Sequence, residues 1–404
     1  MDTSRSSIKE NRSILKYLRK EMIAGGFFPG FKIENWFLQK IYKCYIYGIQ
    51  FCFVTIIALM CFEFISVLPK GDMEKITLNM CFVITGILII VKIYILKSGT
   101  TVELLNAIIE EEHKIFRCEG NSSNIYYSFV TYAQNFNKLF NISSLVTTVV
   151  ILTATNLSGL LIEQLQKPLL ILGQLSFNEF NKQNHYGIYL TIQDIWAILA
   201  TLYYNLFSNF YIALLTFVKA QLKMLQYEFE NLKSKSRLED FQNAKKLLHN
   251  HQSVIKLVND VNKALKWWLF VEFALGSINL ASVIIQVLLA NHITFIGFLV
   301  AVVITLFTQQ FILAWFASDV AVESSRLSES IYLSEWYKTS TDIQILFKVA
   351  ILRSQKPLFI YLGNFKPLTN QTSLSKIRFI LNALYTRSIL ISNALEYCNV
   401  KNLK

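Results

Sequence analysis

The chain has 404 residues, of which 53% are hydrophobic and only 16% are charged, and its formal net charge is +12. One soluble core cannot cover that much apolar surface with a polar exterior, so the composition excludes an ordinary soluble enzyme and predicts an integral membrane protein. Glycine and proline are scarce, at 14 and 5 residues. This scarcity favours long helices over the turn-rich pattern of a membrane β-barrel.

The sequence motifs predict neither catalysis nor a nucleic-acid partner. The positive charge lies in a few polar connections between apolar stretches rather than in one basic domain. The six cysteines have no CxxC spacing, so we expect neither a disulfide framework nor a metal site. The chain has no glycine-rich phosphate loop, nucleophile elbow or zinc-protease helix signature, and we therefore expect no enzyme activity and no cofactor.

In chain order, residues 1–40 are polar and basic, and we expect a cytosolic segment rather than a cleaved signal peptide. About 20 predominantly apolar residues cross a bilayer core, and seven stretches meet that test. The predicted spans are 41–67, 76–96, 139–162, 190–218, 267–289, 293–317 and 373–395. The predicted fold class is therefore all-α integral membrane, with six spans within 41–318 and a seventh at 373–395.

The distribution of Lys and Arg predicts the orientation of these spans. Residues 1–40, 97–138, 219–266 and 318–372 together hold about 28 Lys and Arg, and the opposite set of connections holds about six. The positive-inside rule therefore places the N-terminus in the cytosol and the tail 396–404 outside. A G-protein-coupled receptor needs the opposite orientation, so this class is excluded.

Two connections have the apolar spacing of amphipathic helices. In 219–266, Leu225, Phe229 and Leu247 belong to such stripes, and Leu327 and Phe347 do so in 319–372. We expect spans 4 to 6 to continue as helices into the cytosol and to form there, with the start of span 7, a helical anchor bundle. The acidic run at 110–112 is interpreted as a solvated face.

The outer halves of spans 2 to 6 carry aromatic and hydroxyl side chains, the combination that a small lipophilic ligand requires. The candidate ligand-binding residues are Phe82, Thr85, Thr148, Thr201, Tyr203, Tyr204, Ser277, Phe295 and Phe298. Ordinary packing between helices is the alternative interpretation of each of them. Glu272 is expected to pair within the protein rather than with a ligand.

A longer pattern occupies the last third of the chain. It runs through Ser325, Leu327, Ile331, Tyr332 and Trp336, then Arg353, Ser354, Gln355, Lys356, Pro357 and Leu358, then Gly363, Phe365 and Leu368, and it ends with Ser373, Leu374, Phe379, Ile380, Leu381 and Tyr385. This pattern resembles the C-terminal signature of insect odorant receptors. Arg387 and Ser388 stand where that family has a second Tyr and a Phe.

The resemblance implies a ligand-gated, non-selective cation channel of four subunits in the plasma membrane of olfactory sensory neurons. This chain would be the odorant-binding subunit for a small neutral hydrophobic volatile, and its partner would be the shared co-receptor subunit. The pore-lining residues implied in span 7 are Leu381, Leu384, Tyr385 and Ser388. The implied subunit-anchor residues are Tyr332, Trp336, Arg353, Gln355, Lys356 and Pro357.

Two other classes of membrane protein remain as alternatives. A secondary transporter requires repeat symmetry and broken spans at matching positions, and the sequence has neither feature. The related gustatory-type chemoreceptors end in a Thr-Tyr and Gln-Phe pattern that is absent here. Both observations favour the odorant-receptor interpretation.

Overall fold

A computed structural model describes residues 13–25, 36–71, 73–117, 120–161, 179–233, 236–289, 293–375 and 382. Within these residues the secondary structure is almost entirely helical. The helices are α1 (Leu15–Ala24), α2 (Trp36–Val67), α3 (Met73–Leu96), α4 (Gly99–Arg117), α5 (Asn121–Leu161), α6 (Glu179–Glu230), α7 (Arg237–Leu289), α8 (Ile293–Leu333) and α9 (Thr341–Ser354). Short 3-10 turns follow α2 at Leu68–Lys70 and α8 at Glu335–Lys338.

Five helices in the described part of the chain are long and apolar enough to cross a membrane. They are Trp36–Lys70, Lys75–Leu96, Thr191–Glu230, Arg237–Leu288 and Leu299–Lys338, and they correspond to predicted spans 1, 2, 4, 5 and 6. The predicted third span lies in α5. The predicted seventh span lies outside the described residues, apart from its first three residues and Asn382. The predicted all-α membrane fold is confirmed.

The central helix of the fold is α6, which packs against α1, α3, α5, α7 and α8. The side chains of Phe207, Phe210, Tyr211, Leu214 and Phe217 on α6 are fully buried. A helix that is apolar on every side requires neighbours all around, which explains the central position of α6. The outer helix α2 instead exposes Phe51, Phe62 and Ile65, as expected of a helix in contact with lipid.

The helices α6, α7 and α8 extend beyond the predicted spans and form, together with α9, a second apolar core, which we call the extension bundle. Its buried residues are Leu225, Phe229, Leu232, Ala244, Leu247, Leu327, Ile331, Ile343, Phe347 and Ala350. Ion pairs join the same helices, because Lys219 Nζ lies 2.7 Å from Asp319 Oδ2 and Lys223 Nζ lies 2.7 Å from Glu323 Oε2. The predicted packing of these helical extensions is confirmed.

A short β-hairpin connects the extension bundle to the start of the predicted seventh span. Its strands are β1 (Tyr361–Leu362) and β2 (Lys366–Pro367), which pair antiparallel. Gly363 adopts a φ of +59° in the turn, a conformation that favours glycine. The Gly363 amide donates to the Lys266 carbonyl at 2.8 Å, and Asn262 accepts from the amide of Tyr361 at 2.9 Å. The hairpin is therefore fastened to α7.

The N-terminal helix α1 is buried in the main core rather than lying free beside the membrane. Leu15, Leu18 and Met22 on α1, and Ile14 immediately before it, are each at most 6% exposed. The carboxylate of Glu112 on α4 accepts from Ser13 Oγ at 2.7 Å, from the Ile14 amide at 2.9 Å and from the Tyr126 hydroxyl. The interpretation of the acidic run as a solvated face is wrong for Glu112, which caps the start of α1.

Candidate functional site

A charged cluster lies inside the membrane portion of the fold where α3, α6 and α7 meet. Lys92 Nζ on α3 lies 3.2 Å from Glu272 Oε1 on α7, and both side chains are almost fully buried. The Tyr204 hydroxyl on α6 donates to the same carboxylate oxygen at 2.6 Å. The ammonium group of Lys92 lies 3.1 Å from the centroid of the Tyr204 ring. One carboxylate thus joins three helices.

This cluster is electrically balanced, which explains how two charges persist in an apolar interior. An isolated ion there is very costly, whereas an opposite charge, a hydrogen bond and an aromatic face offset much of that cost. The expectation that Glu272 pairs within the protein is confirmed. The analysis of the sequence missed Lys92, although two opposite charges in two predicted spans were the available signal.

A second polar contact joins α3 and α7 two helical turns farther toward the predicted outer side. Asn279 Nδ2 donates to Thr85 Oγ1 at 3.1 Å, and Thr85 Oγ1 donates to the Cys81 carbonyl of its own helix at 2.9 Å. Asn279 is 2% exposed. Thr85 was a candidate ligand-binding residue, whereas Asn279 was not recognised from the sequence.

The interface between α5 and α6 carries a row of polar contacts that we call the polar ladder. Thr148 Oγ1 lies 3.0 Å from Thr201 Oγ1, Asn205 Nδ2 donates to Ser144 Oγ, and Asn209 Nδ2 donates to Asn141 Oδ1 at 2.8 Å. The amides of Asn141 and Asn209 also donate to the carboxylate of Glu21 on α1. Spacing of three and four residues places these side chains on facing stripes of the two helices.

Tyr203 and Tyr204 point to different sides of α6 although they are adjacent in the sequence. The ring of Tyr203 packs edge-on against Phe53 of α2, with centroids 5.4 Å apart, and Phe53 stacks on Trp196 at 5.5 Å. Successive helical residues lie about 100° apart around the axis, which explains this separation. The two tyrosines therefore belong to different groups of contacts.

The candidate ligand-binding residues form three groups rather than one continuous cluster. Thr85 and Tyr204 border the α3, α6 and α7 junction, Thr148 and Thr201 meet in the polar ladder, and Tyr203 faces α2. The side chain of Phe82 is partly buried against the main core, and Ser277 Oγ donates to the carbonyl of Phe273 in its own helix at 2.5 Å. The side chains of Phe295 and Phe298, and the implied pore residues Leu381, Leu384, Tyr385 and Ser388, lie outside the described residues.

The implied anchor residues lie on the extension bundle and the segment that follows it. Tyr332 is 67% exposed, whereas Trp336 packs against the apolar core of the bundle and its Nε1 donates to the Tyr332 carbonyl at 3.3 Å. Arg353 is exposed and donates to the Lys356 carbonyl at 3.3 Å. Gln355 and Lys356 are exposed and Pro357 is half-buried, in a segment that follows the end of α9.

The described residues contain no group of three or more His, Cys, Asp or Glu side chains that could hold a metal ion. What the site offers is an apolar interior with a few hydroxyl and amide groups and one balanced ion pair. This chemistry suits the reversible binding of a small, weakly polar molecule by shape, apolar contact and one or two hydrogen bonds.

Comparison with known sequences identifies a family. A model of the family described as 7tm Odorant receptor matches residues 72–380. The chain is similar to Odorant receptor 10 of Aedes albopictus, at 26% identity over 211 residues, which cover 51% of this chain and 55% of that protein. It is also similar to Odorant receptor 30a of Drosophila melanogaster, at 25% identity over 205 residues, which cover 50% of this chain and 52% of that protein. The match thus spans about half the length of each of these relatives.

Comparison with solved structures identifies the fold. The chain is similar to the insect olfactory receptor OR5 from Machilis hrabei, with a TM-score of 0.73, and the match covers 92% of this chain and 96% of that one. The structure of the same receptor in complex with eugenol gives a TM-score of 0.70, with coverage of 93% and 97%. Sequence identity is 15% in both comparisons, so they establish the fold alone.

Proposed function

Because the chain belongs to the odorant receptor family, we propose that it is the odorant-binding subunit of a ligand-gated, non-selective cation channel in the plasma membrane of olfactory sensory neurons. The observation that carries this proposal is the family match over residues 72–380. The arrangement of long apolar helices around α6 supports it, because a buried helical core in lipid is where a volatile hydrophobic compound partitions.

The ligand is a small, neutral, hydrophobic volatile. The structurally similar receptor from Machilis hrabei has been solved in complex with eugenol. In this chain, Lys92 and Glu272 neutralise one another at 3.2 Å, so the membrane interior presents no unbalanced charge at this pair for an ionic ligand. Apolar burial provides the affinity, while hydroxyl and amide groups provide the selectivity.

Gating follows from a difference in affinity between two arrangements of the helices. A ligand with equal affinity for the closed and open arrangements does not shift the equilibrium between them, however tightly it binds. The junction of α3, α6 and α7 is a suitable place for such a difference, because one carboxylate links all three helices. The conduction path itself is formed by span 7, with the stripe Leu381, Leu384, Tyr385 and Ser388 facing it.

The partner of this chain is the odorant receptor co-receptor subunit, in a tetramer joined through the extension bundle. The end of α8, the turn that follows and α9 together expose several large apolar side chains. These are Tyr332, Leu333, Tyr337, Ile345, Leu346, Val349 and Leu352. A group of exposed apolar side chains outside the predicted spans is typical of a protein interface.

The experiment that tests the proposal is whole-cell current recording in cells that express this chain with and without an odorant co-receptor. A panel of neutral volatiles is applied, and surface labelling verifies expression. A fast cation current that requires both the volatile and the co-receptor is the expected result. Silence across the panel despite surface expression contradicts the channel function, and a current without the co-receptor contradicts the heteromeric assembly.

A further inference from the structure

The amide of Asn279 has a buried oxygen with no hydrogen-bond partner. Asn279 is 2% exposed, and its Nδ2 donates to Thr85 Oγ1 at 3.1 Å, while Oδ1 has no donor. The single hydroxyl hydrogen of Thr85 is already donated to the Cys81 carbonyl. Thr85 Oγ1 can therefore only accept a hydrogen bond from the Asn279 side chain. This requirement places Nδ2 of Asn279 on the side that faces Thr85 and Oδ1 on the side that faces away from it.

The same side of α7 carries two further unsatisfied polar atoms. Glu272, Asn279 and Gln286 are spaced seven residues apart, so they lie on one stripe of the helix. Each is almost fully buried, and each has one polar atom without a partner, namely Glu272 Oε2, Asn279 Oδ1 and Gln286 Nε2. Buried polar atoms normally have partners, so each of these three atoms marks a separate position on the stripe where a polar group from outside the chain can bind, and successive positions lie about 10 Å apart along the helix.

The region around Asn279 is formed by three helices and includes a further candidate ligand-binding residue. Phe82 lies one turn before Thr85 on α3, and Gly276 lies one turn before Asn279 on α7. A Cβ atom at position 276 would fall 2.0 Å from Nε2 of Gln310, so the buried Gln310 side chain of α8 lies directly over Gly276. Aromatic, amide and hydroxyl side chains from α3, α7 and α8 thus converge on this region.

From this arrangement we infer that the ligand of this receptor carries a hydroxyl group, and that Asn279 Oδ1 accepts its hydrogen. The inference rests on the proposed function and specifies the ligand class within it. An alcohol or phenol can donate to Oδ1, whereas an ether, ester or ketone presents only acceptors. A ligand without a donor leaves the buried oxygen unsatisfied, and sites built to form a hydrogen bond discriminate against such analogues.

Other unpartnered amide oxygens lie in a different part of the molecule and provide a control. Asn205 Oδ1 and Asn209 Oδ1 also have no donor, but both residues belong to the polar ladder. The ladder is a continuous row of contacts between α5 and α6 that leads to Glu21, toward the predicted cytosolic side. Asn279 instead lies next to Thr85, a candidate ligand-binding residue in the predicted outer half.

The test compares isomeric alcohols and ethers on the receptor expressed with its co-receptor. The pairs are benzyl alcohol with anisole, and phenethyl alcohol with benzyl methyl ether, which have the same atoms but differ in the hydroxyl donor. We expect the alcohols to open the channel at about tenfold lower concentration, the effect of about 1.4 kcal/mol from one buried hydrogen bond. Partitioning into the membrane opposes this preference, because the ethers are the more apolar isomers.

The variant Asn279→Leu removes the acceptor, keeps the number and branching of the side-chain heavy atoms, and is expected to abolish the preference for alcohols. Asn205→Leu removes an unpartnered oxygen from the polar ladder and is expected to retain the full preference. If the ethers open the wild-type channel at concentrations equal to or lower than those of the alcohols, the inference is overturned while the proposed function stands. This comparison holds even where Asn279→Leu fails to reach the surface. Equal loss of preference in both variants also overturns it. Absence of any current overturns the proposed function and the inference together.

Discussion

Lys92 and Glu272 lie 180 residues apart in the sequence, yet the Lys92 ammonium group contacts the Glu272 carboxylate at 3.2 Å in the apolar interior. Both side chains are removed from solvent, so neither charge has water to stabilise it. Each charge is therefore tolerable only in the presence of the other. The pair fixes α3 against α7 in a specific register, and Tyr204 adds α6 to the same contact.

Removal of one member of this pair is expected to destabilise the fold strongly. Lys92→Met leaves the Glu272 carboxylate buried without its counter-ion, at a cost of about 3–5 kcal/mol. The double variant Lys92→Met with Glu272→Gln buries no charge and is expected to recover most of that loss. The measurement is thermal unfolding in detergent, analysed as a double-mutant cycle. Lys97→Met is the matched control, because Lys97 follows α3 and is exposed.

Disruption of the cap on α1 is expected to release the N-terminal helix. Glu112 accepts hydrogen bonds from Ser13, the Ile14 amide and Tyr126, and Glu112→Ala leaves these buried donors without an acceptor. We expect hydrogen exchange across α1 to accelerate by at least about tenfold, which corresponds to about 1.4 kcal/mol. Glu111→Ala is the adjacent control, because Glu111 forms an exposed ion pair with Lys114. Equal protection of α1 in both variants contradicts this role of Glu112.

The extension bundle is expected to lose stability in mild acid through His251. This residue lies on α7 before the predicted fifth span, and burial, together with the nearby charge of Arg353, lowers its pKa to about 4. The unfolded chain binds a proton near the usual pKa of about 6.5, and the folded chain does so only near 4. The contribution of neutral His251 to the free energy of unfolding is thus fully present above about pH 6.5, and it is lost as the pH falls from there toward about 4.

The measurement for His251 is unfolding of the purified receptor at about pH 7.5 and about pH 5. We expect the wild type to lose stability between these conditions and His251→Gln to lose less, because glutamine does not titrate. His249→Gln is the matched control, since His249 lies two residues away and is exposed. Identical pH dependence in the wild type and His251→Gln excludes His251 as the titrating group.

Charge placed on the exposed apolar face of α9 is expected to weaken assembly with the co-receptor. Val349 and Leu352 are 59% and 64% exposed. A glutamate introduced at either position would be buried in the interface without a partner for its charge, which is unfavourable. Val349→Glu is expected to reduce co-purification with the co-receptor by about tenfold or more while the chain itself stays folded. Lys246→Glu on the exposed side of α7 is the control for added negative charge. Undiminished co-purification of Val349→Glu excludes this face from the interface.

The helices and the apolar cores were largely predictable from local sequence patterns. The stripes that contain Leu225, Phe229, Leu247 and Phe347 all became buried in the extension bundle, because amphipathic spacing places apolar side chains on one side of a helix. The same reasoning failed for Glu112, since an isolated acidic run does not reveal that Ser13 and Ile14 approach from elsewhere in the chain.

The candidate site was only partly predictable. Thr85, Thr148, Thr201 and Tyr204 were recognised as polar groups within apolar spans, and each makes a contact between helices. Their assignment to one pocket could not come from composition, because the side of a helix that each residue faces depends on which neighbours surround it. Asn279 was missed because a single amide in an apolar span has no local signal.

The sequence by itself determined that long apolar helices make up most of the chain and which family it resembles. Transfer of about 20 apolar residues into lipid is a local property of each segment, so it can be summed along the chain. Only the tertiary structure decided that Lys92 meets Glu272, that Asn279 meets Thr85 and that α1 enters the core. The first two contacts join residues that are 180 and 194 positions apart in the sequence, and all three join different helices. Their free energy depends on three-dimensional packing, which no local sequence pattern contains.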